Sequence, residues 1–137
     1  SDLNSRVACL TNHRKKQPIM GYTAQLQDTA GNCLQTDTPH HMFGSMRTHG
    51  GTRELELDFT SNYARLFARV LGVGGIENLN GMTGADAGPV LEYAARRLKD
   101  NPHPDHWKAT EGNVKTTLLQ LATMSRLRPD GVWWVHA

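Results

Sequence analysis

Two polar clusters in this 137-residue chain carry side chains suited to recognition chemistry. The first is Thr60-Ser61-Asn62, placed directly after an alternating run and directly before a helical stripe. A helix start presents unpaired amides and the positive end of the helix dipole, so this junction suits an anion or a carbonyl oxygen. Plain capping of the helix is the more ordinary role of the same residues. The second cluster is Asp105-His106-Trp107-Lys108-Ala109-Thr110-Glu111-Gly112-Asn113. There Trp107 can stack on a flat ring while Lys108 and Asn113 read polar edges. The alternative is that Trp107 plugs the core at a helix entry. Arg65 and Arg69, one turn apart, add two guanidinium forks that can hold phosphates or lie on a solvated face.

Other chemistries find less support. His40-His41 with His49 can in principle gather a metal, but adjacent loop histidines do not turn easily to one ion. His103 and His106 straddle Pro104 and lack helical ligand spacing. No metal and no cofactor are expected. Cys33 on a strand reads as a small buried thiol, Cys9 lies in a polar arm, and no G-x-S-x-G motif is present. Gly72-Val73-Gly74-Gly75 follows a helix rather than a strand, so it reads as a connector and not a phosphate loop. Glu54, Glu56 and Asp58 alternate along one strand and read as its solvated outer face. An enzyme is therefore not expected.

The elements that position the two clusters follow from periodicity. Tyr22, Ala24 and Leu26 alternate with Thr23, Gln25 and Gln27, which predicts a half-buried strand. Asp28-Thr29-Ala30-Gly31-Asn32 then turns the chain back through Cys33-Leu34-Gln35 as a hairpin. Residues 36–52 read as a long loop. Leu55, Leu57 and Phe59 mark the clearest strand, over 53–59. Tyr63, Leu66, Phe67, Val70 and Leu71 form an amphipathic stripe stopped by Gly72. A second helix is expected to start at Asp86 as N-cap, with Pro89 in its first turn and Val90, Leu91, Ala94 and Leu98 buried. Thr110 caps a third helix with Val114, Leu118, Leu121, Ala122 and Ser125 inward, and Val132-Trp133-Trp134-Val135 forms a last strand.

The predicted class is α+β: a small antiparallel sheet of three N-terminal strands plus a C-terminal strand, packed against three helices. Residues 1–19, with the basic Arg14-Lys15-Lys16 run, read as a flexible basic arm or an upstream extension, and 20–137 as a single α+β domain. The net charge of +2 argues against a nucleic-acid partner or a membrane surface. No apolar run approaches the ~20 residues of a membrane span. Nothing at the start reads as secretory, so a soluble, cytoplasmic protein is expected.

Asp58-Phe59-Thr60-Ser61-Asn62-Tyr63, then Asn80-Gly81-Met82-Thr83-Gly84, then Trp107 with Glu111-Gly112-Asn113, resemble a family of small phage and prophage accessory proteins. The resemblance covers roughly residues 20–137. It implies a gene acting inside a bacterial host cell, a setting in which small proteins counter host immunity. The expected function is accordingly a non-enzymatic, homo-oligomeric sponge for a nucleotide-derived immune signal. Its ligand-binding residues would be Ser61, Asn62, Arg65, Arg69, Trp107, Lys108 and Asn113. The alternatives are an inhibitor that binds a bacterial defence protein and a small metal-dependent hydrolase.

Overall fold

The computed structural model describes residues 21–42 and 51–137; the 1–19 arm, with Cys9 and Arg14-Lys15-Lys16, and His49 lie outside them. In chain order the elements are β1 (Gly21–Gln27), β2 (Gln35–His40), β3 (Thr52–Glu54), β4 (Glu56–Thr60), α1 (Ala64–Leu71), α2 (Gly84–Arg96), α3 (Glu111–Leu127) and β5 (Val132–His136). Short 3-10 turns at Ser61–Tyr63 and Gly75–Leu79 precede and follow α1. The class is α+β, as the periodicities predict. The strands divide between two antiparallel sheets, one of order β4-β1-β5 and one of β2 with β3.

The alternation along β1 fixes which residues face the helices. Opposed pairs Tyr22–Phe59, Ala24–Leu57, Ala24–Val135 and Leu26–Trp133 share the core face. The buried side of α1 packs there through Phe67 and Val70, together with Tyr63 from the turn before it. Phe67 meets Phe59 edge-on at 5.5 Å and Tyr63 at 6.0 Å between ring centroids. α2 and α3 pack on each other beside this cluster, contributing Leu91, Ala94, Leu118 and Leu121. Ser125, buried on the inner face of α3, accepts a 2.9 Å hydrogen bond from the Trp133 indole. That bond reconciles two polar groups with an apolar setting.

The opposite face of the sheet departs from the solvated surface expected of it. Thr23 and Gln25 are fully buried, and Glu56 and Asp58 are half-buried. Thr23 donates to Asp58 at 3.0 Å and Gln25 to Glu56 at 2.5 Å, while Gln27 donates to Gln25 at 2.9 Å. Cross-strand pairing thus uses the carboxylates that the alternation alone assigns to water.

Three further corrections concern boundaries. The 36–52 stretch is not all loop, because β2 and β3 occupy both its ends; Cys33 makes only an isolated bridge to Gln27. The 53–59 strand is interrupted at Leu55, whose amide turns to Leu34 O at 2.9 Å while its carbonyl accepts from Leu26 N at 3.0 Å. The second helix is capped by Thr83 rather than Asp86, since the Thr83 hydroxyl accepts from the Asp86 amide at 3.2 Å. Pro89 therefore lies inside the helix, on an exposed side shared with Ala85, where water can meet the carbonyl that loses its partner. Val90 is exposed, and the buried stripe is Ala87, Leu91, Ala94 and Ala95, with Leu98 just beyond the helix.

The segment before α2 closes the free edge of β5. Asn80 uses its side-chain amide as a strand surrogate, donating to Val135 O at 2.9 Å and accepting from Val135 N at 2.6 Å. Trp133 exchanges backbone bonds with Gly81 and Met82. An edge covered in this way no longer invites another strand.

Candidate functional site

Thr60 and Thr110 cap the two starts locally, and the residues just after each cap bring distant chain segments together. Thr60 accepts from the Asn62 amide at 3.1 Å, and Thr110 accepts from the Asn113 amide at 3.1 Å. Between α2 and α3 the chain crosses the start of α1 as an irregular segment, residues 101–110, held by side chains from both helix starts. Asn62 donates to Trp107 O at 2.9 Å, and the Tyr63 hydroxyl donates to His106 O at 2.6 Å. Asn113 accepts from the His103 amide at 2.9 Å and donates to Asp105 O at 3.1 Å and Lys108 O at 2.9 Å. Asn101 accepts from the Gly112 amide at 2.9 Å. A Cβ at Gly112 would overlap the backbone of Asn101 and Pro102, so only glycine lets the loop lie this close.

This loop and the start of α1 border an open surface groove of about 730 Å³, lined by Ser61, Asn62, Arg65, Asn101, Thr110 and Glu111 among others. That volume falls in the roughly 300–1,000 Å³ range of small-molecule sites. Arg65 is exposed in the groove wall and makes no ion pair among the described residues. Arg69, one turn on, is 3.2 Å from the Glu111 carboxylate. The Glu111 carboxyl is held below its ordinary value by the Lys99 amide first and Arg69 second. Burial first, and then the charge of Asp105, push the Tyr63 phenol up to about 12, so it stays a hydrogen-bond donor.

The seven residues proposed from sequence thus divide by role. Ser61, Asn62 and Arg65 line the groove. Arg69 is engaged with Glu111 at its border. Asn113, 7% exposed, is turned inward as the hub of the loop. Trp107 and Lys108 sit on the 101–110 loop but do not line the groove, and Trp107 is 43% exposed rather than plugging the core. Asn101, Ala109 and Glu111 as groove residues carry no sequence pattern of their own.

The described histidines do not form a metal centre. His40 Nε2 lies 2.6 Å from Glu54 O, and its Nδ1 accepts from the Met42 amide at 3.2 Å, so both ring nitrogens are engaged. Among the described residues no group of three or more His, Cys, Asp or Glu is arranged to hold a metal ion. Cys33 is buried, with its thiol 3.7 Å from Leu34 O. No helix among the described residues is long and apolar enough to cross a membrane. Comparisons with family models, curated proteins and solved structures return no match for this chain.

Proposed function

We propose that this chain is a non-enzymatic binding protein that captures a small nucleotide-type ligand in the groove between the starts of α1 and α3. The observation that carries the reading is the position of Arg65, an exposed guanidinium without an acidic partner among the described residues, in a groove of ligand size. Its fork matches phosphate oxygens, and the exposed indole of Trp107, whose backbone carbonyl accepts from the groove residue Asn62, offers a face for a base. In the phage setting implied by the resemblance, a homo-oligomer of this kind in the host cytoplasm would blunt a nucleotide immune signal. A second reading, an inhibitor of a bacterial defence protein, is favoured by Val90 and Tyr93, 42% and 63% exposed one turn apart on α2.

Calorimetric titration of wild type, Arg65→Ala and Trp107→Ala with cyclic nucleotides and ADP-ribose derivatives tests the proposal. Loss of the Arg65 charge-assisted bond should weaken binding by roughly 1.5–3 kcal/mol, about ten- to a hundredfold. Loss of the stack should cost roughly 1–3 kcal/mol. If wild type binds no panel member below high micromolar, the nucleotide reading falls and the inhibitor reading replaces it. If a ligand binds all three proteins equally, the activity stands and the site does not.

A further inference from the structure

We propose that Asn80 is a site of spontaneous conversion of side-chain amide to acid, and that the conversion unpins the covered edge of β5. Asn80-Gly81 is the sole Asn-Gly pair in the chain. In such a pair the following backbone nitrogen reaches the asparagine side chain most readily, because glycine carries no Cβ to obstruct it. Both residues are exposed, and a Cβ built at Gly81 would meet nothing within 4 Å. The surroundings therefore leave room for a five-membered imide. In the reaction the Gly81 nitrogen bonds to the Asn80 side-chain carbonyl carbon and gives up its proton, while the side-chain nitrogen leaves as ammonia. Water then opens the ring to an aspartate or an isoaspartate, and nothing is oxidised or reduced.

The fold gates this step. The ψ of 123° at Asn80 turns the Gly81 nitrogen away from the side chain it must attack. The Gly81 amide donates to Trp133 O at 3.0 Å, and the Asn80 side chain is held on both atoms by the Val135 backbone. Ring closure therefore waits for a local opening in which exposed residues 80 and 81 leave β5 while the buried core stays packed. The product then changes the edge. An aspartate still accepts from the Val135 amide, but it has no proton for Val135 O, and two oxygens face each other there. An isoaspartate also lengthens the main chain by one carbon, which moves Gly81 and Met82 out of register with their bonds to Trp133. Either product weakens the cover that keeps β5 from inviting another strand. This inference does not rest on the nucleotide reading of the groove.

Incubation of the full chain in mildly alkaline buffer, followed by peptide mass spectrometry at intervals, tests the site, with the same chain in concentrated urea giving the ungated rate. Asn80 is expected to convert before every other asparagine among the described residues, about ten- to a hundredfold more slowly in the native protein than in urea. Asn80→Asp carries one product from the start. Its Trp133 and Val135 amides should exchange hydrogen several-fold faster than in wild type, with the α1 amides unchanged. Equal rates in native and unfolded chains, or earlier conversion of another described asparagine, would overturn the proposal. So would an unconverted Asn80 in the native protein after about thirty unfolded-state half-lives, or unchanged exchange at Trp133 and Val135 in Asn80→Asp.

Discussion

Replacing Asn113 by alanine separates scaffold from recognition in the candidate site. The side chain is 7% exposed and makes three hydrogen bonds, one to the His103 amide and two to the Asp105 and Lys108 carbonyls. At a net ~0.5–1.5 kcal/mol each, their sum spans about 1.5–4.5 kcal/mol. His103, Asp105 and Lys108 are exposed, so water recovers part of the loss and places the expected cost near 2–3 kcal/mol. For a chain of this size that corresponds to a fall in Tm of roughly 6–10 °C. Asn62→Ala removes one bond from an exposed residue and should cost less than about 1 kcal/mol. Urea unfolding followed by far-UV circular dichroism measures both, and hydrogen exchange should show the His103 amide losing protection in Asn113→Ala. A loss under ~0.5 kcal/mol with His103 still protected would refute the assignment of Asn113 as the hub.

Phe67→Ala empties a fully buried site between Phe59 and Tyr63 and should cost about 3–5 kcal/mol in the same unfolding assay; a loss below ~1 kcal/mol would contradict its packing. At alkaline pH, Tyr63 holds its proton in the folded state up to about 12, against 10.0 for the ordinary phenol. Its contribution is therefore intact below pH 10 and is lost as pH rises from 10 towards 12, so Tyr63→Phe should show a shallower alkaline decline than wild type, and an equal slope would sink the argument. Asp28, Glu111 and Asp130 carry lowered values, chiefly through the Asn32 amide, the Lys99 amide and Arg128 respectively. The stability they contribute is present at neutral pH and is lost as pH falls through the carboxylate range; melting curves from pH 7 to 3 measure it, and a flat profile would contradict the pairing. Addition of chelator should leave Tm unchanged, and one equivalent of tightly bound zinc by elemental analysis would overturn the metal-free reading.

The parts of this fold that sequence makes legible are those in which one element buries its own periodic face. Leu57 and Phe59 on β4, Tyr63 in the turn before α1, and Phe67 and Val70 on α1 are of this kind, and all are buried as their spacing demands. The cap at Thr110 is equally local, since hydroxyl and amide lie three residues apart. What sequence conceals is set by tertiary partners. β2 is polar and largely exposed, so no hydrophobic pattern announces a strand. Thr23 and Gln25 look like a solvent face until Asp58 and Glu56 are placed across from them. Thr83 caps the second helix in place of Asp86 where the Gly84 and Ala85 amides bond the carbonyls of Gly131 and Pro129, partners that the local sequence does not announce. The cap residues mark each helix start, but neither the convergence of the two starts nor the division of labour between their side chains follows from them. Whether Asn113 faces inward or a groove depends on the path of the 101–110 loop.

The claim that a nucleotide-type ligand occupies the groove of Arg65 is tested most directly by mapping where such a ligand lands. Backbone-amide shifts should be recorded for wild type and Arg65→Ala against each cyclic nucleotide and ADP-ribose derivative of the calorimetric panel. Saturable shifts at residues 61–66 and 107–111 that weaken about ten-fold or more in Arg65→Ala are the predicted result. Saturable binding whose shifts lie elsewhere, or no binding by any member, would contradict it.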